Sequence, residues 1–230
     1  MPKKELEVSL IAMPDNLLDV IYTACRTCYS ADGAVEIFNN ITDDKEKKLS
    51  LIKRIISSGH YSTIEHVQVT FAINNISRAA THQLVRHRHM SFSQKSQRYV
   101  KEAEFDYIIP NQIEKNPKLL AKFEAHMEAT SKLYQEFVEA GIKKEDARSI
   151  LPNATASSIV TSLNLRELIH LANLRLCTRA QYEIRMAVAK MCALIIKKEP
   201  WLAEHLVPKC ERLGYCDEDN SCGKVATRNG

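Results

Sequence analysis

Hydrophobic residues in this chain repeat with two different periods, and the way the two are interleaved is the strongest constraint on its fold. Residues 5–12 (Glu-Leu-Glu-Val-Ser-Leu-Ile-Ala) alternate and are bounded by Pro14. Val67, Val69, Phe71 and Ile73 alternate with Gln68, Thr70 and Ala72. Successive strand side chains point to opposite faces, so both runs read as half-buried strands. Residues 154–162, rich in Ser, Thr, Ile and Val, read as a third. Helical signals dominate elsewhere. Residues 15–25 read as a helix with Asp15 at its cap. Asp43 and Asp44 introduce residues 44–58, which set Leu49, Ile52, Ile55 and Ile56 on one face before Gly59 stops them. Ser77 caps a short helix over 78–87. Residues 117–140 form a long helix ending at Gly141, and 144–151 a short one stopped by Pro152. Asn164 caps a helix to about 177, and another spans 180–198. The segment 89–99 is polar, lacks periodicity and reads as a functional loop. With no repeat and no linker, the expectation is one α+β domain with more helix than strand over 1–207, followed by a polar, cysteine-bearing tail, 208–230, that is loosely ordered.

A chain of 230 residues suits one large domain. It buries roughly 70–75% of its unfolded surface and needs no staple to fold. No stretch approaches the roughly 20 apolar residues of a membrane-spanning helix, and no signal peptide is visible behind Met1-Pro2-Lys3-Lys4-Glu5. Seven cysteines cannot all pair within one chain, so free thiols in a reducing cytoplasm are expected. The six glycines are too scattered for a P-loop or a G-x-G-x-x-G turn. If the chain holds phosphates, side chains must do it. A net charge of +4 is modest, but Arg86, Arg88, Lys95 and Arg98 crowd one short window.

That window, Arg86-His87-Arg88-His89-Met90-Ser91-Phe92-Ser93-Gln94-Lys95-Ser96-Gln97-Arg98-Tyr99, is the densest chemistry in the sequence. A guanidinium binds phosphate through two parallel charge-assisted bonds, and serines add neutral donors. A solvated basic loop is the alternative. A second cluster, His60-Tyr61-Ser62-Thr63-Ile64-Glu65-His66, reads either as a hydrogen-bonded structural knot or as a metal site; its spacing is not a zinc pattern and no H-E-x-x-H occurs. On the helix from Asn164, Arg166, His170 and Asn173 share a face, turned either to solvent or to a ligand, with Arg175 following. Cys25 and Cys28 read as buried thiols rather than a redox pair. Cys210, Cys216 and Cys222 lie six apart, which is not the usual zinc pairing.

Taken together, these segments resemble the flavin-dependent thymidylate synthases. Arg86-His87-Arg88 followed after seven residues by Ser96 matches their R-H-R-x7-S signature, and Arg98-Tyr99 extends it. His60 with Glu65-His66 resembles their H-x4-E-H element, and Gln83 sits three before Arg86. Ala147-Arg148, then Leu151-Pro152, resembles A-R-x-x-L-P; Asn164-x-Arg166 and Asn173-Leu174-Arg175 resemble N-x-R and N-L-R. The resemblance runs from roughly residue 5 to 205. Ser93-Gln94 departs from it, standing where many members carry Asn-Glu.

The resemblance implies helices around a small antiparallel-type sheet, and a homotetramer with active sites shared between subunits. It implies FAD held by Ser62, Arg86, His87, Arg88, Gln94, Asn164, Arg166 and His170, with no metal. It implies dUMP surrounded by Gln83, Arg86, Gln94, Ser96, Arg98, Arg148 and Arg175, with NADPH and 5,10-methylenetetrahydrofolate as co-substrates and dTMP as product. Arg175 is then the catalytic group, a fixed cation beside the pyrimidine. Ser96 is better read as a hydrogen-bond donor to substrate than as an unaided nucleophile. No nucleic acid or membrane partner is expected. Two rivals stay in view. One is a single-stranded nucleic-acid-binding module on the 86–99 loop, which lacks the interleaved aromatics needed for stacking. The other is a zinc hydrolase using His60, Glu65 and His66.

Overall fold

The computed structural model describes residues 4–228. Its four strands are β1 (Glu7–Ala12), β2 (Gln68–Ser77), β3 (Met90–Gln94) and β4 (Ala156–Asn164). They form one antiparallel sheet in the order β1-β2-β4-β3. Its helices are α1 (Leu17–Thr27), α2 (Ala34–Asn39), α3 (Lys45–Ser57), α4 (Arg78–Leu84), α5 (Asn111–Glu114), α6 (Pro117–Glu139), α7 (Lys144–Ala147), α8 (Leu165–Arg175), α9 (Tyr182–Lys198) and α10 (Lys209–Leu213).

The alternation read in the second run decides which face of the sheet is covered. Val69, Phe71 and Ile73 of β2, with Ile159 and Leu163 of β4, are buried in one core that also takes Ile21 of α1, Ile52 and Ile56 of α3, Leu168 of α8 and Val188 of α9. On the other face Thr70 stands opposite Ser162, with their hydroxyl oxygens 2.8 Å apart, and Val160 is exposed. A bulge interrupts the β2–β4 register between Ile73 and Ile76. Asn75 sits there at φ 57, a left-handed conformation that asparagine tolerates better than most residues. Its side-chain amide donates to the Glu5 carbonyl at 2.8 Å. A smaller core of Phe105, Tyr107 and Met127 fastens α6 to the chain around Leu151 and Ala154.

The helix signals at Asp44, Ser77 and Asn164 are each realised as N-caps, accepting from Lys47, Ala80 and Glu167. Gly59 follows α3 at φ 82, where a side chain would be strained. Six expectations need correction. The first helix has Asn16, not Asp15, at its N-cap, with no side-chain capping bond. Part of the supposed loop 89–99 is strand β3; its inward positions Met90, Phe92 and Gln94 include only two apolar residues, so the pattern is faint, and pairing with β4 supplies the order. The helix after Ser77 ends at Leu84, which leaves Arg86 to Arg88 on a turn. Residues 144–151 split into α7 and a 3-10 turn at Arg148–Ile150. Cys25 is buried but Cys28 is exposed. Beyond Pro208 the chain forms α10, which contacts α8, and buries Cys216.

Because Phe71 is fully buried at the sheet centre, Phe71→Ala should cost about 3–5 kcal/mol of unfolding free energy. Val160→Ala on the open face should cost no more than about 0.5 kcal/mol in the monomeric unit. Urea melts of the two variants check the contrast.

Candidate active site

The sheet register places two groups of polar side chains at its two ends. β2 ends at Ser77, opposite Ala156 at the start of β4. α4 leaves from that end and runs back, so β3 begins with Met90 beside Leu163, at the other end. Seven residues of helix span about 10 Å. The start of α4 is fixed by α9: Ser77 Oγ donates to Glu183 Oε2 at 2.6 Å.

After α4 the backbone turns, with His87 N–H donating to the Leu84 carbonyl at 3.1 Å. This turns His87 inward, to 7% exposure, and leaves Arg86 and Arg88 outside. α8 supplies three groups that face the His87 ring. Arg175 Nε donates to His87 Nε2 at 3.1 Å. Glu167 Oε1 lies 3.4 Å from His87 Nδ1, at the long end for a hydrogen bond. The His170 ring sits edge-on with its centroid 6.1 Å away. A nitrogen that accepts from a guanidinium carries no proton, so the neutral tautomer with hydrogen on Nδ1, facing Glu167, is the one assigned by this geometry. Burial, and then the Arg175 charge, push the His87 pKa below its ordinary 6.5, while Glu167 pulls the other way. Burial also lowers Arg175 from the ordinary arginine value, but a guanidinium stays charged.

At the opposite end, Arg98 and Arg148 meet on one residue. Arg98 Nε lies 2.6 Å from Glu145 Oε2, and Arg148 Nε donates to the Glu145 carbonyl at 3.1 Å. Ser96 Oγ accepts the Arg98 backbone N–H at 3.2 Å. Arg78, at the first turn of α4, has its pKa lowered by burial and by Arg148, with Glu102 opposing. Gln83 is half-buried on α4, its amide donating to the Ala79 carbonyl at 3.4 Å. Gln94 is half-buried as well and points inward, donating to Thr81 Oγ1 at 2.8 Å and Ser157 Oγ at 3.2 Å.

Beside the start of α8, exposed Ser62 lies in a 3-10 turn, Tyr61–Ile64, and Glu65 pairs with Arg166. Asn164 Oδ1 accepts from Glu167 N–H at 2.8 Å as the cap of α8. The polar stripe on α8 divides: Arg166 and His170 are exposed, whereas Asn173 is buried and donates to the Val207 carbonyl at 2.9 Å. One chain therefore joins Arg98 to Arg148 and Arg175 to His87, and holds the two pairs at opposite ends of α4.

Sequence reasoning missed the carboxylates. Glu167 had a signal as the third residue after the Asn164 cap, but that pattern points to a helix start, not to His87. Glu145 lies three residues before Arg148 in the same turn. Nothing local marks Glu183 as the partner of Ser77. Cationic side chains stand beside both clusters that could hold a metal. Glu65 is committed to Arg166, against a hydrolytic zinc at His60, Glu65 and His66. His87, Glu167 and His170 bring ligand atoms within 4.8 Å of one another, and the Arg175 guanidinium stands beside this cluster, donating to His87 Nε2.

The thymidylate synthase complementing protein family matches residues 9–201. A protein named flavin-dependent thymidylate synthase from Nitratidesulfovibrio vulgaris is 42% identical, over 99% of this chain and 98% of its own length. Proteins of the same name from Pyrococcus abyssi and Clostridium tetani are 42% and 38% identical, covering 93% and 96% of this chain and 90% and 94% of their own. The crystal structure of a UMP/dUMP methylase from Streptomyces cacaoi, bound with 5-Br dUMP, shares the fold with a TM-score of 0.77 at 24% identity, over 88% of this chain and 95% of that one. With the family match spanning nearly the whole α+β unit and the relatives spanning almost their full lengths, this chain belongs to the thymidylate synthase complementing protein family, the flavin-dependent thymidylate synthases.

Proposed function

We propose that the chain converts dUMP to dTMP, with FAD as its flavin, 5,10-methylenetetrahydrofolate as the one-carbon donor and NADPH as the reductant. The observation that carries the reading is the buried Glu167–His87–Arg175 chain of contacts, which holds one guanidinium by a neutral imidazole. When bound, FAD supplies the hydride that completes the methyl group. The residues present fit it. Arg86 and Arg88 are exposed and, among the described residues, have no acidic partner, so both guanidiniums are available to phosphate oxygens. Ser62, Asn164, Arg166 and His170 stand nearby on the 3-10 turn and the first turns of α8, and Gln94 lines the strand between the two groups.

Arg175 acts as a fixed positive charge beside the pyrimidine, stabilising negative charge as C5 becomes nucleophilic. Its Nε is committed to His87, which leaves its terminal nitrogens to face the ring edge. Arg98 and Arg148, with Gln83 and Ser96, bind the nucleotide; Glu145 pre-orients the two arginines, which reduces the ordering cost of binding. Since these pairs lie at opposite ends of α4, the substrate site is completed by a second subunit within a homotetramer. The rim supports this: Val85, Tyr99 and Leu174, next in sequence to Arg86, Arg98 and Arg175, are 37%, 72% and 42% exposed and are well suited to burial between subunits. Seven free cysteines fit work in the cytoplasm. No observation favours a nucleic-acid-binding role, since Phe92 packs against the core instead of standing free to stack.

Purified protein should show a flavin visible spectrum, or acquire one with added FAD; a colourless protein that takes up none contradicts the reading. Arg175→Ala should retain flavin while kcat for dTMP falls on the order of 10²–10³-fold. Arg98→Ala should weaken dUMP binding roughly 10–100-fold by calorimetry, the range for a lost hydrogen bond to a charged group. Unchanged values would misassign these groups.

The histidine makes a pH prediction whose sign is fixed. A histidine with a depressed pKa binds its proton more weakly folded than unfolded, so its contribution is intact above 6.5 and is lost as pH falls through the lower folded value. Protonation removes the lone pair that accepts from Arg175, so kcat should fall on that acid limb. Glu167 raises the His87 pKa; Glu167→Gln should therefore move the limb to lower pH and reduce kcat about tenfold with little change in dUMP affinity. A stationary limb would rule out the coupling.

A further inference from the structure

Residues beyond Val207 lie outside the family match, and their packing has an unusual basis. Past Leu206, Cys216 is the one hydrophobic side chain buried among the described residues. The segment is tied down by polar contacts: Arg212 Nε donates to Asn173 Oδ1 at 2.7 Å, Arg179 pairs with Glu218, and Lys209 pairs with Asp217. Exposed ion pairs contribute little. A stretch with so little apolar burial ordinarily needs a staple, either a disulfide or a metal. Here the end of α8, the connection that follows it and the tail enclose a cavity of about 120 Å³, and four of its lining residues are Cys177, Cys210, Cys216 and Cys222. That is room for about four waters, or for one ion with its sulfur shell.

We propose that Cys177, Cys210, Cys216 and Cys222 form a four-thiolate site for a single zinc ion that fastens the tail to the connection between α8 and α9. Cys210 is in electrostatic range of both Cys177 and Cys216. The carboxylates of the same lining, Asp217 and Glu218, are engaged by Lys209 and Arg179, which leaves sulfur as the ligand set. Four thiolates select zinc over harder divalent ions. The surroundings of Cys222 have the form of a ligand's support. Thr178 Oγ1 is buried and has no conventional hydrogen-bond partner; it interacts with the Cys222 sulfur, which also accepts from the backbone amide of Lys224. Gly223 at φ 78 makes that turn. Among the described residues no three of the four sulfurs lie within 4.8 Å of one another. Ligation therefore draws the sulfurs closer together, with Cys222 reached from the exposed side of the cavity. On binding, each thiol releases its proton to solvent. With Lys209 and Arg179 engaged by Asp217 and Glu218, Lys224 is the lining cation left to face the net negative centre that results.

The test uses full-length protein without a tag, purified under reducing conditions with added zinc and freed of excess ion by gel filtration. Elemental analysis should find about one zinc per chain, and X-ray absorption should show four sulfurs at about 2.3 Å. Cys177→Ser and Cys210→Ser should each lose that zinc, while Cys28→Ser, on the remote α1, keeps it. If a variant fails to fold, the wild-type absorption shell decides. Zinc at background level, a nitrogen or oxygen shell, iron with acid-labile sulfide, or a peptide map showing a Cys–Cys link among these four would each overturn the assignment. Flavin content, read from the visible spectrum, is scored separately, so failure here leaves the proposed activity untouched.

Discussion

The antiparallel pairing of β2 with β4 is the interaction on which the molecule is built. It runs from Gln68 opposite Asn164 to Ser77 opposite Ala156, and each strand hands directly to a helix that carries site residues. A slip of one residue would turn Val69, Phe71 and Ile73 to the open face. It would also rotate the starts of α4 and α8 relative to each other. Burial of these side chains thus fixes where His87 and Arg175 meet, and core and chemistry share one register.

Within that frame the chemistry rests on a histidine that does not carry charge. A buried imidazolium beside Arg175 would place two cations 3.1 Å apart, and burial disfavours the charged ring in any case. The neutral ring instead accepts from Arg175 and turns its other nitrogen to Glu167. A long, flexible side chain is thereby held in one orientation without neutralising it. Arg98 and Arg148 show the other solution, in which a single residue, Glu145, gathers two guanidiniums at the surface. There solvent screens the ion pair, so it is only weakly held.

The tail follows a different rule from the body. Residues packed on the sheet are held by apolar area, whereas those beyond Val207 are held by side-chain pairing and by what gathers around their thiols. Asn173 links the two regimes: it is buried on α8, and it binds the Val207 carbonyl and Arg212. A position that the sequence leaves open between a solvent-facing and a ligand-facing stripe therefore serves the docking of the tail.

Local patterns were enough for the α+β class, because period and caps depend on residues close in sequence: the β2 alternation, the caps at Asp44, Ser77 and Asn164, and the stop at Gly59 are all legible. So were the motifs that carry Arg86, Arg98, Arg148 and Arg175. Strand β3 was not, because Ser91 and Ser93 face outward and order comes from its neighbour. Nor were the roles of Glu167, Glu145 and Glu183. Which arginine a carboxylate holds, and which histidine is buried and neutral, depends on contacts such as His87 with Arg175, 88 residues apart. The sequence determined the elements and the reactive groups; the tertiary structure decided their pairing, because charge and hydrogen bonding act through distance in space and not along the chain.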